Sequence, residues 1–330
     1  MKLPHVLAWE LTRACNLNCV HCRASATNSP AEDELTTKEG MTLLDDLARG
    51  GTRLVILSGG EALVRPDVFE LAARGTSLGL RMTLATNGSP VTESVARNLL
   101  DAGIARVSVS LDGVTAGVHD AFRGLGGAFA MAMRGIEILL AHGIPVQVNT
   151  TVAAANIHEM GLFPEFLEHI GVMAWHVFFL VPTGRGHDVE PAKVAQYRRM
   201  LEDFHGASRS ARIECKATCA PQYYRMFEEQ GGSAPTKGCL AGTGFGFVSA
   251  TGVVQPCGFL QIDCGSIRRT PLQEIWETSE TLRALRDADR LLGKCGTCGF
   301  TAVCGGCRAR AYEVRGDALQ TDPICWYPTS

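Results

Sequence analysis

The chain has no surplus of either charge, no long apolar run and no cleavable leader, and each absence removes a class of function. Its 31 basic and 34 acidic residues leave a net charge of -3, so the basic footprint of a nucleic-acid binder is missing. The opening residues, Met1 to Trp9, are broken by Pro4 and His5 and lack a small-residue cleavage site, which argues against a secretory signal. No other stretch reads as a membrane span. The expected setting is the cytoplasm, with neither nucleic acid nor membrane among the partners. No internal repeat beyond a strand-helix rhythm and no low-complexity tract occurs. What the chain does have is thirteen cysteines in 330 residues and 46% apolar content. The apolar content suffices for a sizeable core, organised as one large domain plus a smaller one. Without an export signal the thiols stay reduced, so metal ligation is the expected use of the cysteines.

Cys15, Cys19 and Cys22 lie in Cys-Asn-Leu-Asn-Cys-Val-His-Cys, directly after the first predicted strand. Three thiolates on one short loop can hold three corners of a cubane iron-sulfur cluster and leave the fourth iron open for chemistry. Structural zinc is the competing reading, but it wants a fourth ligand in a closed tetrahedral shell, and His21 lies between two of the cysteines rather than beyond them. A catalytic thiol or a disulfide explains three equivalent cysteines no better.

From residue 5 to about 205, short apolar runs alternate with amphipathic helical stretches. The predicted strands are Val6 to Thr12, Arg53 to Ser58, Arg81 to Asn87, Arg106 to Asp112, Pro145 to Val152 and Ala174 to Val181. Six strand-helix units imply parallel pairing, in either a doubly wound sheet or a barrel-like curl. The period of two favours the barrel: Ser108, Ser110 and Asp112 share one face of their run, as do Gln147, Asn149 and Thr151. A parallel sheet covered on both faces should be apolar throughout, so the polar face suggests a hydrated or ligand-filled lumen. Satisfied core hydroxyls and amides are the plainer alternative. The turn after the second strand reads Ser58-Gly59-Gly60-Glu61, where glycines admit close backbone approach and a carboxylate can receive an ammonium group.

Ten of the thirteen cysteines follow residue 214, which marks a second domain over 206–330 after a first over 1–205. The stretch His205-Gly206-Ala207-Ser208-Arg209-Ser210 reads as a linker. Beyond it, one helix is predicted from Pro271 to Leu292, and metal is the expected source of order for the rest. A zinc ribbon on Cys295, Cys298, Cys304 and Cys307 is one way to supply it.

The cysteine loop, the Gly-Gly-Glu turn and the six units resemble the radical S-adenosylmethionine (SAM) enzymes. The resemblance implies an α/β fold, a partial (β/α)6 TIM-like barrel, and a SAM-binding 4Fe-4S cluster on Cys15, Cys19 and Cys22. By the same likeness Gly59, Gly60 and Glu61 contact the SAM amino group, and Ser110, Arg123 and Asn149 match positions that touch SAM. His21 occupies a place near the adenine, and a low-potential electron donor such as flavodoxin or ferredoxin is implied as a partner. Ala62 departs from the proline usual after the glycine-glycine-glutamate motif.

The later cysteines resemble the SPASM extension of these enzymes, whose cysteines bind one or two auxiliary 4Fe-4S clusters. That likeness gives Cys295, Cys298, Cys304 and Cys325 to one cluster and Cys239, Cys257 and Cys307 to another. Cys264 is an extra candidate ligand, and Cys215 and Cys219 are left unassigned.

Within this superfamily, Trp9 to Cys15, Phe179 to Gly186, Lys216 to Pro221 and Cys304 to Arg310 resemble the decarboxylases of alternative heme biosynthesis. The type that converts iron-coproporphyrin III to protoheme is the nearest in these phrases, implying that tetrapyrrole as substrate. An auxiliary cluster can accept the electron released, since such clusters span roughly -700 to +450 mV. Arg185 and Arg23 are candidate partners for the substrate carboxylates, and His119, His176 or His187 for the heme iron. Three alternatives stay open: a sister decarboxylase acting on didecarboxysiroheme, a peptide-modifying SPASM maturase, and a non-catalytic iron-sulfur electron carrier. Many maturases carry a peptide-recognition region before the barrel, for which this chain leaves no room.

Overall fold

The computed structural model describes residues 2–328. Nine strands form one open sheet: β1 Val6–Glu10, β2 Leu54–Ser58, β3 Arg81–Thr86, β4 Arg106–Ser110, β5 Val146–Val152, β6 Ala174–Phe179, β7 Glu214–Thr218, β8 Phe245–Val248 and β9 Val254–Gln255. They run in the order β7-β6-β5-β4-β3-β2-β1-β8-β9, parallel except for β9. A doubly wound sheet reverses its strand order at a switch point. Here the order never reverses from β7 to β1, which is the sequence of a barrel wall. The six predicted strands all form, each within three residues of its expected ends.

The helices are α1 Thr37–Arg49, α2 Val68–Ser77, α3 Glu93–Asp101, α4 Ala116–Arg123, α5 Ala128–Ala141, α6 Phe163–His169, α7 Val194–Ser210, α8 Gln222–Glu229, α9 Leu272–Thr278, α10 Glu280–Arg286, α11 Gly293–Thr297 and α12 Arg308–Arg315. Helix α1 starts with a reciprocal cap, in which Thr36 Oγ1 accepts from the Glu39 amide and the Glu39 carboxylate accepts from the Thr36 amide. The sheet face that meets the helices carries Leu7, Trp9, Val55, Leu57, Val107, Val109, Val146, Val148 and Val177, all buried. Each such side chain taken from water contributes roughly 1.5–3 kcal/mol. The opposite face carries Arg106, Ser108, Ser110, Gln147, Asn149, His176, Glu214 and Lys216 in register across β4 to β7. The sequence periodicity reads this polar lining correctly.

Two expectations need correction. The segment 205–210 is not a linker but the last turns of α7. His205 is buried there, its ring edge-on to Phe227 at 4.6 Å and near Tyr223 at 5.6 Å, with Nε2 3.0 Å from Gln230 Oε1. Tertiary packing outweighs the weak helix propensity of the glycine and serines. The predicted helix from Pro271 to Leu292 breaks at Ser279, where ψ is 123°. The C-terminal segment is also built into the main fold. It adds strands at both ends of the sheet and buries Val248, Val254, Ile275 and Trp276 in the main core.

Candidate active site

The loop after β1 carries Cys15, Cys19 and Cys22, and the fold fastens it from four directions. Cys15 N donates to Thr27 O at 2.6 Å, and Val20 N donates to Phe122 O at 3.1 Å. Gly60 N donates to Thr12 O at 2.7 Å, and Glu61 N to Ala14 O at 2.8 Å. A Cβ on Gly59 would lie 2.7 Å from Thr12 O, and one on Gly60 would collide with the Ala14 carbonyl. The two glycines are therefore required for the turn to lie against the loop. Arg185 supplies the fourth attachment: Nε donates to Cys19 O and Nη1 to Ala26 O, both at 2.9 Å.

Each of the three sulfurs has a hydrogen-bond donor, a setting that favours the thiolate a metal needs. Leu17 N reaches Cys15 Sγ at 3.4 Å, Ala26 N reaches Cys22 Sγ at 3.4 Å, and Arg123 Nη1 reaches Cys19 Sγ at 3.7 Å. Burial still pushes Cys15 up to about 11, and Glu61 and the other two thiols add to the rise. Crowded thiols of this kind fit a cationic iron-sulfur core, whose charge offsets that cost. Among the described residues no three His, Cys, Asp or Glu side chains converge on a single metal ion.

The buried Asp112 carboxylate organises the flank of the loop. Arg123 Nη2 lies 2.6 Å from Asp112 Oδ2, His21 Nε2 lies 3.7 Å from the same oxygen, and Thr151 N donates to Oδ1 at 2.8 Å. Burial works against the charge of both ion-pair partners, yet their attraction prevails: the pKa of Asp112 is lowered and that of Arg123 raised. Burial drops His21 to about 4 despite the carboxylate, and its ring lies 4.6 Å from Phe122. Ser110 and Asn149 sit in register on the lumen face, with Asn149 Oδ1 accepting from Gln147 Nε2 at 2.6 Å.

Several expected roles find different partners. The Glu61 carboxylate accepts from Asn87 N at 2.7 Å and Leu63 N at 3.1 Å and is 1% exposed. These bonds to backbone amides shape the turn. Arg185 directs Nε and Nη1 to the loop carbonyls. Arg23 pairs with Glu10 at 2.9 Å and Gly258 O at 3.2 Å, beneath Phe247. Arg23 is thus paired with a carboxylate, whereas Arg185 meets only neutral carbonyls and keeps a buried Nη2 without a partner. His119 Nδ1 accepts from Asp112 N at 3.0 Å, and His176 and His187 each lie 3.2 Å from a glutamate, Glu214 and Glu313.

The C-terminal cysteines form two groups. Cys295, Cys298, Cys304 and Cys325, the set implied by the SPASM likeness, line one pocket together with Arg225, Lys294, Phe300, Asp322 and Tyr327. Arg308 Nη2 donates to Cys295 Sγ at 3.4 Å. Arg225 Nη1 reaches Cys298 Sγ at 3.7 Å while its guanidinium lies 4.0 Å from the Phe300 ring and 3.3 Å from the Tyr327 ring. The second group joins Cys239, Cys257 and Cys307 to a fourth thiol, Cys219, which the sequence reading leaves unassigned. Cys219 is hydrogen-bonded to Cys307, which raises its pKa well above the thiol range while lowering that of Cys307. Cys257 also faces Cys239 and Cys307. Cys219 holds a left-handed backbone, φ 57°, strained for a residue with a Cβ. Its spacing from Cys215 fits a ligand pair, but only the structure separates the two, bringing Cys219 to Cys307 and leaving Cys215 apart. Cys264, in contrast, joins neither group: its sulfur donates to Ile262 O at 3.7 Å, and Asp263, Ser279 and Arg286 surround it. Cys215 also stands apart, beside Glu168 and Glu214.

The profile of the radical SAM superfamily matches residues 9–160, and that of an iron-sulfur cluster-binding domain named SPASM matches 239–299. An AdoMet-dependent heme synthase of Methanosarcina barkeri is 48% identical over 98% of this chain and 97% of its own length. The chain is a radical SAM enzyme. A second Methanosarcina barkeri protein, named Fe-coproporphyrin III synthase, is 31% identical over 97% of this chain and 86% of its own. In fold this radical SAM chain resembles the crystal structure of Streptococcus suis SuiB bound to S-adenosylmethionine. There the TM-score is 0.80 at 16% identity, over 99% of this chain and 78% of that one. Membership brings 4Fe-4S clusters and SAM as cofactors. The residues present fit them: a three-thiol loop with a donor on every sulfur, and two sets of four thiols in the radical SAM enzyme's C-terminal segment.

Proposed function

We propose that this enzyme converts iron-coproporphyrin III to protoheme by oxidative decarboxylation of two propionates. The observation that carries the reading is the contrast between two proteins of one organism: 48% identity to a heme synthase against 31% to an Fe-coproporphyrin III synthase. Cys15, Cys19 and Cys22 would hold the cluster, and with SAM bound there it would supply hydrogen-atom abstraction by a 5'-deoxyadenosyl radical. Each propionate then loses one hydrogen atom from its β-carbon, one carbon dioxide and one electron, and a vinyl group remains. Two propionates consume two SAM molecules.

The chain's own residues define where this happens. Gly59, Gly60 and Arg185 hold the loop against the end of β1 and β2, so the reacting centre opens onto the polar lumen. Asp112 pins Arg123 and His21 at the loop's flank, where burial excludes water from the SAM side. The row Ser110, Asn149, His176 and Lys216 offers the substrate hydrogen-bonding groups along one level of the sheet. The two sets of four thiols would hold the clusters that receive the released electrons.

The test is an anaerobic incubation of reconstituted enzyme with SAM, dithionite and iron-coproporphyrin III, read by mass spectrometry. Loss of two carboxyl groups with appearance of two vinyls is the expected result. Unchanged porphyrin alongside 5'-deoxyadenosine overturns it and favours the sister reaction on didecarboxysiroheme, checked with that substrate.

A further inference from the structure

The structure assigns to Lys216 the binding of a substrate carboxylate on the lumen face of β7, an inference that rests on the function proposed above and names the residue that anchors its substrate.

The argument starts from which cations are free. A polycarboxylate needs one; around the cluster loop Arg123 is paired with Asp112 and Arg23 with Glu10, while Arg185 is tied to two loop carbonyls with only its buried Nη2 unpartnered. Deeper in the lumen, Arg106 spans Gln147 at 3.1 Å and Glu214 at 3.0 Å. Lys216 is different. Among the described residues its ammonium has no hydrogen-bond or ion-pair partner, although the side chain is half-buried.

Register fixes the direction in which it points. Lys216 pairs across the sheet with His176, His176 with Asn149 and Asn149 with Ser110. Laterally paired residues of parallel strands share a face, and the neighbours on the other face, Ala217, Val177, Val148 and Val109, are buried in the helix-covered core. Lys216 therefore faces the lumen, at the level of two expected SAM contacts and two strand spacings from Asn149, roughly 10 Å away.

Local charge leaves it available. Glu214 is the nearby carboxylate, and it is already bracketed by Arg106 and by His176 at 3.2 Å. Arg106 and Lys216 carry positive charge, Glu214 carries negative charge, and burial holds His176 below its ordinary pKa, towards the neutral form. The group is one positive charge in excess, which one incoming carboxylate neutralises. Burial also pulls the pKa of Lys216 down, a cost that an arriving anion offsets. A tetracarboxylate fastened there by one acid group is free to present another towards Ser110 and Asn149, as a substrate with two reacting propionates requires.

The test is a Soret-band titration of the cluster-loaded enzyme with iron-coproporphyrin III and, in parallel, with its tetramethyl ester. Lys216→Met is expected to weaken binding of the tetra-acid about tenfold or more, the scale of a charge-assisted hydrogen bond. Lys216→Arg is expected to keep most of the affinity, and the ester is expected to bind wild type and Lys216→Met equally. Iron content and cluster absorption verify that the variant is folded, and Lys216→Gln serves if Lys216→Met is not. If wild type binds and converts the tetra-acid while Lys216→Met and Lys216→Gln bind it as tightly, the assignment is wrong and the function stands. If wild type does not bind the tetra-acid, the function and the assignment fall together.

Discussion

Arg310 and Asp322 form an ion pair at 3.2 Å with both side chains almost fully enclosed, and their remaining bonds tie the auxiliary thiols to the barrel. Arg310 also donates to Phe179 O, Leu180 O and Cys219 O at 3.3, 3.2 and 2.7 Å. Asp322 accepts from Cys307 N at 2.8 Å and Gln222 Nε2 at 3.0 Å. Removing one partner of such a pair strands a buried charge, which typically costs about 3–5 kcal/mol. Asp322→Ala is therefore expected to lower the unfolding midpoint by several degrees and to reduce iron retention at the Cys307 group, measured by calorimetry and iron analysis.

Cys219 is the ligand candidate that spacing alone does not separate from Cys215. Cys219→Ala is expected to release about four iron per chain, the content of one cubane, while Cys215→Ala retains the wild-type iron. Equal iron in both variants would remove Cys219 from the ligand set.

Hydrogen bonds and positive charge at the sulfurs raise the potential of a cluster because they stabilise its reduced form. Arg225 and Arg308 supply both at Cys298 and Cys295. The exchange Arg225→Met is expected to shift the reduction potential of that cluster downward in an EPR-monitored titration, without shifting the cluster on Cys15, Cys19 and Cys22.

Arg268 and Thr36 hold the Glu39 carboxyl at about 2, below its ordinary 4.5. A depressed carboxyl contributes stability that is fully present above its ordinary value and is lost as pH falls from there towards 2. In Arg268→Met the thermal midpoint should decline less over that interval than in wild type. The expected difference is a few degrees at most, because solvent screens an exposed pair. Parallel declines would show that the contact has no effect on stability.

How much of this was legible in the chain depends on distance. Helix and strand periods are local, so the six strand-helix units and the polar face of β4 and β5 follow from apolar spacing. The Cys15, Cys19, Cys22 triplet and the pairing of Cys295 with Cys298 are also short-range patterns. The stretch 205–210 misleads because its small residues show nothing of Tyr223 and Phe227, whose rings hold His205 in the helix.

The sequence by itself determined the parallel barrel wall and the three-thiol loop at its rim, since both are written in residues only a few positions apart. Tertiary structure alone decided that Cys219 meets Cys307, that Arg185 reaches the loop carbonyls and Arg23 reaches Glu10 and Gly258, and that Lys216 is left without an ion-pair partner. Those outcomes depend on strand register and on which donors reach which carbonyls across tens to hundreds of residues. No local pattern records them.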